Sequence, residues 1–274
     1  MFLFFVVAQI LGMYVGAFIT EDAKTNEVLM EMKIVEDGGS PLASFQMILY
    51  ILIGTAIMLV LIKFYKGELL FMMVEFGAIS MTTSIVVYSF VRLFLQTEVA
   101  MAGSIFCGLM IGTARLVTKK WKNFFAVIAA AGAGAGFGFS LSLGAAFLFL
   151  LLLTIYDYIA VSKTKHMVVM ADEMIKKDIA LIVSQERTVM VGGKPKKERI
   201  DIGTGDFLAP IMVEVAAYKI GMGAMIIGFV GALAGFWIMV YYLLTHKKII
   251  PAMPPITLGI WLAYAAALVL GYFI

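Results

Sequence analysis

The stretch RIDIGTGDFLAP, residues 199 to 210, ends a charged segment and opens an apolar run that continues to residue 245. As one helix this run would be about 60 Å long, against about 30 Å of membrane hydrocarbon, so it must fold back once. The glycines of YKIGMG, residues 218 to 223, weaken helix continuity and mark the turn. Two membrane helices are therefore predicted, with Asp206 at the start of the first.

The composition indicates an integral membrane protein. Hydrophobic residues make up 62% of the 274 residues and charged residues only 14%, with a mean hydropathy of +1.01. Soluble globular domains do not have this composition, and the long apolar runs differ from the roughly ten-residue alternating strands of outer-membrane barrels. We predict an all-α, polytopic helical bundle. With Cys107 as the single cysteine, disulfide frameworks and thiolate zinc sites are excluded, and the small net charge does not indicate nucleic-acid binding.

Apolar segments of membrane-spanning length recur along the whole chain, and FGFSLSLG (137 to 144) divides a second long run. Residues 1 to 162 then hold helices 1 to 6, residues 163 to 202 form a polar loop, and residues 203 to 274 hold helices 7 to 9. The nine predicted spans are 1 to 20, 42 to 62, 69 to 91, 99 to 117, 123 to 140, 142 to 162, 206 to 220, 222 to 245 and 253 to 274.

The basic residues predict the orientation of these spans. Seventeen of the 21 Lys and Arg residues fall on one side of the nine-span topology and four on the other. By the positive-inside rule, the N-terminus and the 163 to 202 loop are cytoplasmic and the C-terminus is extracytoplasmic, in a cell membrane. The acidic 21 to 40 loop then faces outward. Within the cytoplasmic loop, MADEMIKKDIALIVSQ predicts an amphipathic helix and VGGKPKKER a flexible linker.

Four carboxylates stand in apolar segments, where such residues are costly and mark functional sites. Asp157 lies six residues before Lys163, about 9 Å inside the cytoplasmic boundary. Asp206 begins the next span from the same side, so the two are predicted to form a pair. For Glu75 we expect snorkelling or a buried hydrogen bond. Glu214 is expected to make a structural polar contact, with Tyr218 and Lys219 as its ladder neighbours.

Two carboxylates in one water-accessible site share a single proton. The ionised member can take a proton from water while the protonated member polarises a carbonyl, as in aspartic peptide hydrolysis. Gly203 and Gly205 would permit unusual backbone conformations and close approach of another chain. In the plainer alternative, the glycines form a helix-start turn and Asp206 is an N-terminal cap.

The segment KKIIPAMPPITLG opens the last span from the same side. Its prolines, beginning at Pro251, are tolerated in the first turn of a helix, so one interpretation is that the segment is only a helix start. They also leave backbone groups able to pair with an extended peptide. His166 and His246 are too isolated to indicate a metal site.

Three stretches resemble the YD, GxGD and PAL motifs of the presenilin and signal peptide peptidase family: IYDYIAV (155 to 161), GTGD (203 to 206) and PAMP (251 to 254). Their order and their positions on the sixth, seventh and ninth spans match as well. The resemblance implies intramembrane aspartyl proteolysis without a cofactor or metal, with Asp157 and Asp206 as the catalytic residues. The predicted substrate-binding residues are Tyr156 in the wall of the site, Gly203, Thr204, Gly205, Pro251, Ala252 and Met253. Met253 replaces the leucine of the PAL motif, a change that conserves volume and apolarity.

The resemblance also implies partners. Substrates would be single-span membrane proteins or signal peptides within the lipid bilayer. A cytoplasmic large loop resembles the presenilin orientation, whereas signal peptide peptidases are inverted. The short chain is similar to microbial presenilin homologues, which act without accessory subunits, and the sequence is compatible with higher oligomers.

Two other functional classes share part of this pattern. A proton- or cation-coupled transporter or channel would also use paired intramembrane acids, but its inverted repeat is not visible because residues 1 to 140 contain no second YD or GxGD. A prepilin-peptidase-like enzyme would carry a GxGD aspartate, but this chain lacks the cytoplasmic cysteine cluster of such an enzyme.

Overall fold

The chain forms a helical bundle with one small hairpin at one end. A computed structural model describes all residues except 32, 36, 66, 119, 120, 178, 192, 193, 247–249, 273 and 274, and it leaves aside the side chains of 187, 189–191, 194–198 and 246. Several charges used to predict the orientation lie outside the described residues: Lys66, Lys119, Lys120, Lys247, Lys248 and, in the acidic loop, Glu36. The orientation therefore stays a prediction.

Helices lie at all nine predicted positions. In chain order the helices are α1 (Phe2–Asp22), α2 (Glu27–Glu31), α3 (Pro41–Phe64), α4 (Leu69–Val91), α5 (Thr97–Val117), α6 (Lys122–Ser140), α7 (Leu143–Tyr158), α8 (His166–Lys176), α9 (Thr204–Tyr218), α10 (Met222–His246) and α11 (Met253–Val269). A π-helical turn, Ile159–Lys163, extends α7.

Among the described residues, seven of these helices are long and apolar enough to cross a membrane, with α7 counted together with its π turn, Leu143–Lys163. The helices α9 and α11 are shorter, with 15 and 17 residues. A short helix is compatible with membrane depth where the adjoining backbone is buried in protein or lines a cavity. Both predicted breaks occur, since α6 ends before α7 and α9 ends before α10. The predicted polytopic helical bundle is confirmed.

The polar loop contains a β-hairpin that was not predicted. Strands β1 (Ile182–Val191) and β2 (Lys194–Gly203) pair antiparallel, with Ser184 opposite Asp201. The flexible linker predicted for VGGKPKKER is thus wrong for its described residues, which are extended and paired. The physical reason is that IVSQERTVMV is rich in β-branched residues, which favour a strand, and pairing satisfies the backbone of both segments.

Glycine grooves on two helices hold α9 in the centre of the bundle. On α6, a Cβ added to Gly138 would lie 2.6 Å from the Met212 carbonyl oxygen, and one on Gly134 would lie 2.7 Å from Ile211. On α1, a Cβ on Gly16 would overlap Val215. Small residues in membrane helices allow this close approach. Larger residues at these glycine positions would push α9 away from α1 and α6.

Polar side chains of the bundle fix the start of the hairpin. The Asn123 amide donates to the Ser184 carbonyl at 2.7 Å and accepts from the Ser184 N–H at 2.9 Å. The Glu75 carboxylate accepts from the Ala180 N–H at 2.6 Å and lies 2.9 Å from Arg115 Nε, with both side chains buried. The buried hydrogen bond expected for Glu75 is present, and the ion pair with Arg115 is additional.

Candidate active site

A cavity of about 790 Å³ opens beside the hairpin, and both predicted catalytic aspartates line it. Its walls come from α3, α7, α8, β2, α9, α10 and the segment before α11. Most of the lining side chains are apolar, including Met174, Met239 and Leu243. Concave, mostly apolar sites with a few convergent polar groups are typical of ligand-binding and catalytic sites.

Asp157 lies in the last turn of α7 and is only 4% exposed. Its Oδ2 accepts a hydrogen bond from the Met253 N–H at 3.0 Å, and the Ala252 backbone also hydrogen-bonds to its carboxyl. Prolines cannot donate such bonds, but the first residues of a helix have N–H groups without intrahelical partners. The start of α11 therefore binds the Asp157 carboxyl through its free backbone donors.

Asp206 is the third residue of α9 and is partly buried. Its carboxyl hydrogen-bonds to the backbone of Gly203, which is the N-cap residue. This is the contact that the acidic residue of a capping box makes, so Asp206 takes part in capping without being the cap. The Asp157 and Asp206 carboxyls are close enough to interact electrostatically. Both carboxyls line the same cavity, and their catalytic pairing stays a prediction.

The two glycines before Asp206 do not adopt the unusual conformations that the sequence suggested. Gly203 has φ −64° and ψ 145°, values open to any residue, and Gly205 lies within the first turn of α9. The missing side chain is therefore what distinguishes these two positions. A Cβ on Gly205 would meet nothing within 4 Å, and both glycines line the cavity. Their small size keeps this wall open.

The proline segment is divided between two roles. Ala252 lines the cavity together with Ile250, whereas Met253 begins α11 with its side chain buried in the core. Pro251 is partly buried and does not line the cavity. The expectation that this backbone is left free for a peptide is wrong at Met253, because Asp157 takes its N–H.

Tyr156 does not line the cavity, although it was expected to form part of the wall. Its hydroxyl donates to Thr55 Oγ1 at 3.2 Å and hydrogen-bonds to His166 Nε2, also at 3.2 Å. Thr55, in contrast, does line the cavity from α3. Tyr156 thus lies behind the wall, as its 100° offset from Asp157 on the helix requires.

Glu214 makes neither of the contacts expected from its neighbours on the helix. Lys219 Nζ instead donates to the carbonyls of Phe139 and Leu141, at 2.7 and 2.6 Å, and the Tyr218 hydroxyl donates to Glu21. Glu214 is fully buried, and neither carboxyl oxygen has a hydrogen-bond partner among the described residues. The prediction failed because ladder spacing cannot reveal carbonyls exposed at the end of another helix.

Sequence reasoning missed Gln9, which is fully buried on α1. Its Nε2 donates to the Phe207 carbonyl at 3.0 Å, one residue after Asp206. Pro210 lies in the same helix and removes the N–H that would bond to the Asp206 carbonyl. A single amide in an otherwise apolar helix was the available signal.

The described residues include no group of three His, Cys, Asp or Glu side chains that could hold a metal ion. The polar side chains that line the cavity are four carboxyls, two threonine hydroxyls and the guanidinium of Arg199. Carboxyl groups of this kind can act as acids and bases.

Comparisons with known proteins agree with this fold. Two crystal forms of a presenilin family intramembrane aspartate protease have similar folds: the C222 form at 18% identity with a TM-score of 0.64, and the P2 form at 21% with 0.67. Each covers 98% of this chain and 96% of that chain. No curated protein sequence matched the chain, and neither comparison supports a transporter or channel.

The family model described as signal-peptide peptidase, presenilin aspartyl protease matches residues 3–272, which is nearly the whole chain. Its match includes the three motifs, both aspartates and the helices that bring them together. The chain belongs to the signal-peptide peptidase and presenilin family of intramembrane aspartyl proteases.

Proposed function

We propose that Asp157 and Asp206 are the catalytic pair and hydrolyse a peptide bond of a membrane-spanning substrate. The observation that carries this proposal is that the two carboxyls line one cavity and interact with each other. Backbone hydrogen bonds from separate segments orient each carboxyl. Such preorganisation favours the geometry of the transition state.

The reaction needs one proton on the pair. The ionised carboxylate takes a proton from water as the water oxygen bonds to the peptide carbon, and the protonated carboxyl gives its proton to the carbonyl oxygen. In the tetrahedral intermediate the C–N bond then breaks. The nitrogen takes the proton from the first carboxyl, and the second carboxyl takes one back from a hydroxyl. The products are a carboxylic acid and an amine, and the pair returns to its starting state.

The substrate is a transmembrane helix of a single-span protein or a signal peptide. In a helix each peptide group is hydrogen-bonded within the chain, so the cut segment must first become extended. Gly203, Thr204, Gly205 and Ala252 line the cavity, and we assign them to contact with the extended segment. The open space at Gly205 supports this assignment.

Pro251 and Met253 serve the site indirectly in this proposal. Pro251 restricts the backbone that presents the Ala252 and Met253 amides to Asp157. Replacing Pro251 with alanine should therefore reduce cleavage more than it reduces thermal stability. If cleavage and thermal stability fell equally, the segment would serve only as a helix start.

The proposed setting is a cell membrane with the N-terminus and the 163–202 loop in the cytoplasm and the C-terminus outside. Activity is proposed to need no accessory subunit. Purified protein in liposomes that cuts substrate by itself would support this, and activity that appears only after addition of another membrane protein would contradict it. Reporter fusions at the two termini test the orientation.

The dyad is tested with the purified full chain and a single-span substrate. D157N and D206N should each reduce cleavage below detection while leaving thermal unfolding close to wild type. E214Q is the matched control, since Glu214 is a buried carboxyl on the same helix as Asp206 but lies outside the cavity lining. It should remain active. Near-normal cleavage by either aspartate variant would refute the pairing.

The pH dependence provides a second test. A pair that must carry one proton gives a bell-shaped profile, whose two limbs belong to the pair rather than to either residue. Single-turnover cleavage should fall on both sides of an optimum. A flat profile across the acidic to neutral range, with chemistry rate-limiting, would contradict the mechanism.

A further inference from the structure

A chain of hydrogen bonds runs behind the cavity wall and joins three elements. Thr164 Oγ1 lies 2.6 Å from His166 Nδ1, and His166 Nε2 lies 3.2 Å from the Tyr156 hydroxyl. The Tyr156 hydroxyl in turn donates to Thr55 Oγ1 at 3.2 Å. These hydrogen bonds therefore connect α3, the last turn of α7 and the first residue of α8.

One arrangement of protons satisfies every bond in this chain. If neutral His166 carries its proton on Nε2, that N–H donates to the Tyr156 oxygen and leaves the Tyr156 proton for Thr55. Nδ1 then accepts from the Thr164 hydroxyl at 2.6 Å, in preference to the Ile159 carbonyl, which lies 3.2 Å from the same Oγ1. A fully satisfied polar network of this kind favours one conformation of the groups it joins.

The backbone between Tyr156 and His166 is irregular, so side chains have to fix the relation between the two helices. The regular α7 ends at Tyr158 and continues as the wider π-helical turn. Lys165, the N-cap residue of α8, then has φ 57°, the only positive φ among the described non-glycine residues. Such a junction has weaker intrinsic restraint than a continuous helix.

Both ends of the network reach the proposed site. Asp157 follows Tyr156 directly, and adjacent residues of a helix differ by about 100° in direction, so holding the Tyr156 side chain also sets the direction of Asp157. At the other end, α8 covers the cavity through Met167, Met170, Ala171 and Met174. Thr55 lines the same cavity from α3.

We propose that His166 and Tyr156 are positioning residues, which hold the Asp157 carboxyl and the covering helix α8 in one fixed arrangement. This inference rests on the proposed function of Asp157. Neither residue touches the reacting atoms. Their loss should therefore change the rate of the chemical step more than the binding of substrate.

Tyr158 offers a matched control on the same helix. It is 49% exposed, and it has no hydrogen-bond partner among the described residues. Y156F and Y158F remove the same hydroxyl group from positions two residues apart. A general effect of losing a tyrosine hydroxyl would appear in both variants, whereas a positioning effect would appear only in Y156F.

The test measures kcat, KM and the unfolding temperature of the purified full chain with a single-span substrate. Y156F and H166L should each lower kcat about tenfold, because small misplacements of a reacting group are costly, with KM changed by less than about twofold. Y158F should match wild type. H166Q, whose side-chain amide can still bond to the Tyr156 hydroxyl, should recover most of the loss seen in H166L.

The double variant Y156F/H166L should be no slower than about the worse single variant, since both break one network. Unchanged kcat in Y156F or H166L, equal losses in Y156F and Y158F, no recovery in H166Q, or additive losses in the double variant would each overturn the inference. A fall in kcat that only follows loss of folded protein would also overturn it. Continued activity of D157N, in contrast, would refute the proposed dyad itself.

Discussion

The helix that carries Asp206 and the helix that carries Asp157 are held in the bundle in different ways. Ten of the 15 residues of α9 are buried, against five of the 16 residues of α7. Glycine grooves of α1 and α6 enclose α9, whereas α7 packs mainly on α3 and α11 and continues as a π-helical turn. One carboxyl is thus carried by a largely buried helix and the other by a more exposed one.

This difference suggests how a membrane protease can keep a costly pair of carboxyls aligned and still admit a substrate. Packing fixes Asp206, while a few polar contacts around α7 fix Asp157: the start of α11, the Tyr156 network and a Thr154–Thr257 bond of 2.6 Å. Variants around α9 should therefore mainly reduce stability. Variants around α7 should mainly change the rate of cleavage.

The largest stability loss is expected from R115A. Arg115 pairs with Glu75, whose carboxylate binds the backbone just before the hairpin that leads into α9. Arg115 and Glu75 are both buried, and removing one partner of a buried ion pair costs about 3–5 kcal/mol. The measurement is the free energy of unfolding in detergent. The double variant E75L/R115M should recover most of the loss, because no uncompensated charge remains. A double variant as unstable as R115A would contradict this.

The next largest loss is expected from G138A, which directly tests the enclosure of α9. The new Cβ would press on the Met212 backbone carbonyl, and overpacking of this kind costs about 3 kcal/mol. G103A is the control, because nothing lies within 4 Å of that position, and its lower chain entropy should stabilise the helix by up to about 1 kcal/mol. Equal effects of the two substitutions would show that α9 is not tightly enclosed.

A smaller loss is expected from Q9L. The Phe207 carbonyl would lose its additional donor next to Asp206, at a cost of about 1–2 kcal/mol in unfolding free energy. Cleavage should fall beyond what this instability explains, because the start of α9 is no longer fixed. Q46L, at an exposed position of α3, should leave both quantities unchanged. If Q9L also does so, Gln9 has no part in holding Asp206.

The smallest stability effect is expected from T154V, on the α7 side. It breaks the bond to Thr257 on α11, and hydrogen bonds between membrane helices contribute only about 0.6 kcal/mol on average. The cleavage rate should change more than the unfolding temperature does. T113V is the control, since the Thr113 hydroxyl bonds only within its own helix turn. A larger stability loss in T154V than in G138A would contradict the view that packing around α9 contributes more stability than the polar contacts around α7.

The sequence predicts the helices well because membrane spans are set by long-range apolarity and length. The span predicted for 142 to 162 corresponds to α7 and its π turn, Leu143 to Lys163. Depth and chain order predicted that Asp157 and Asp206 lie near each other, and both line one cavity. The hairpin was missed although Gly192 and Gly193 directly follow a segment rich in β-branched residues, and a Gly-Gly pair at the end of such a segment is a known hairpin signal. A basic, glycine-containing segment was interpreted as a linker by composition alone.

The details of the site depend on contacts between distant segments, which spacing along one helix cannot show. The use of the Met253 N–H by Asp157 requires the start of α11 to meet the end of α7. The Gln9 bond to the Phe207 carbonyl joins residues 198 positions apart. Tyr156 was assigned to the wall from its neighbour Asp157, but its direction on the helix puts its hydroxyl against α3 and α8.

The most direct test of the account is a structure of the protein bound to a peptide isostere whose hydroxyl mimics the tetrahedral intermediate. Such analogues bind where transition-state contacts are made. The predicted result is that the carboxyls of Asp157 and Asp206 both lie within about 3.2 Å of that hydroxyl. An isostere that binds in the cavity but contacts only one carboxyl, or neither, would contradict the catalytic pair.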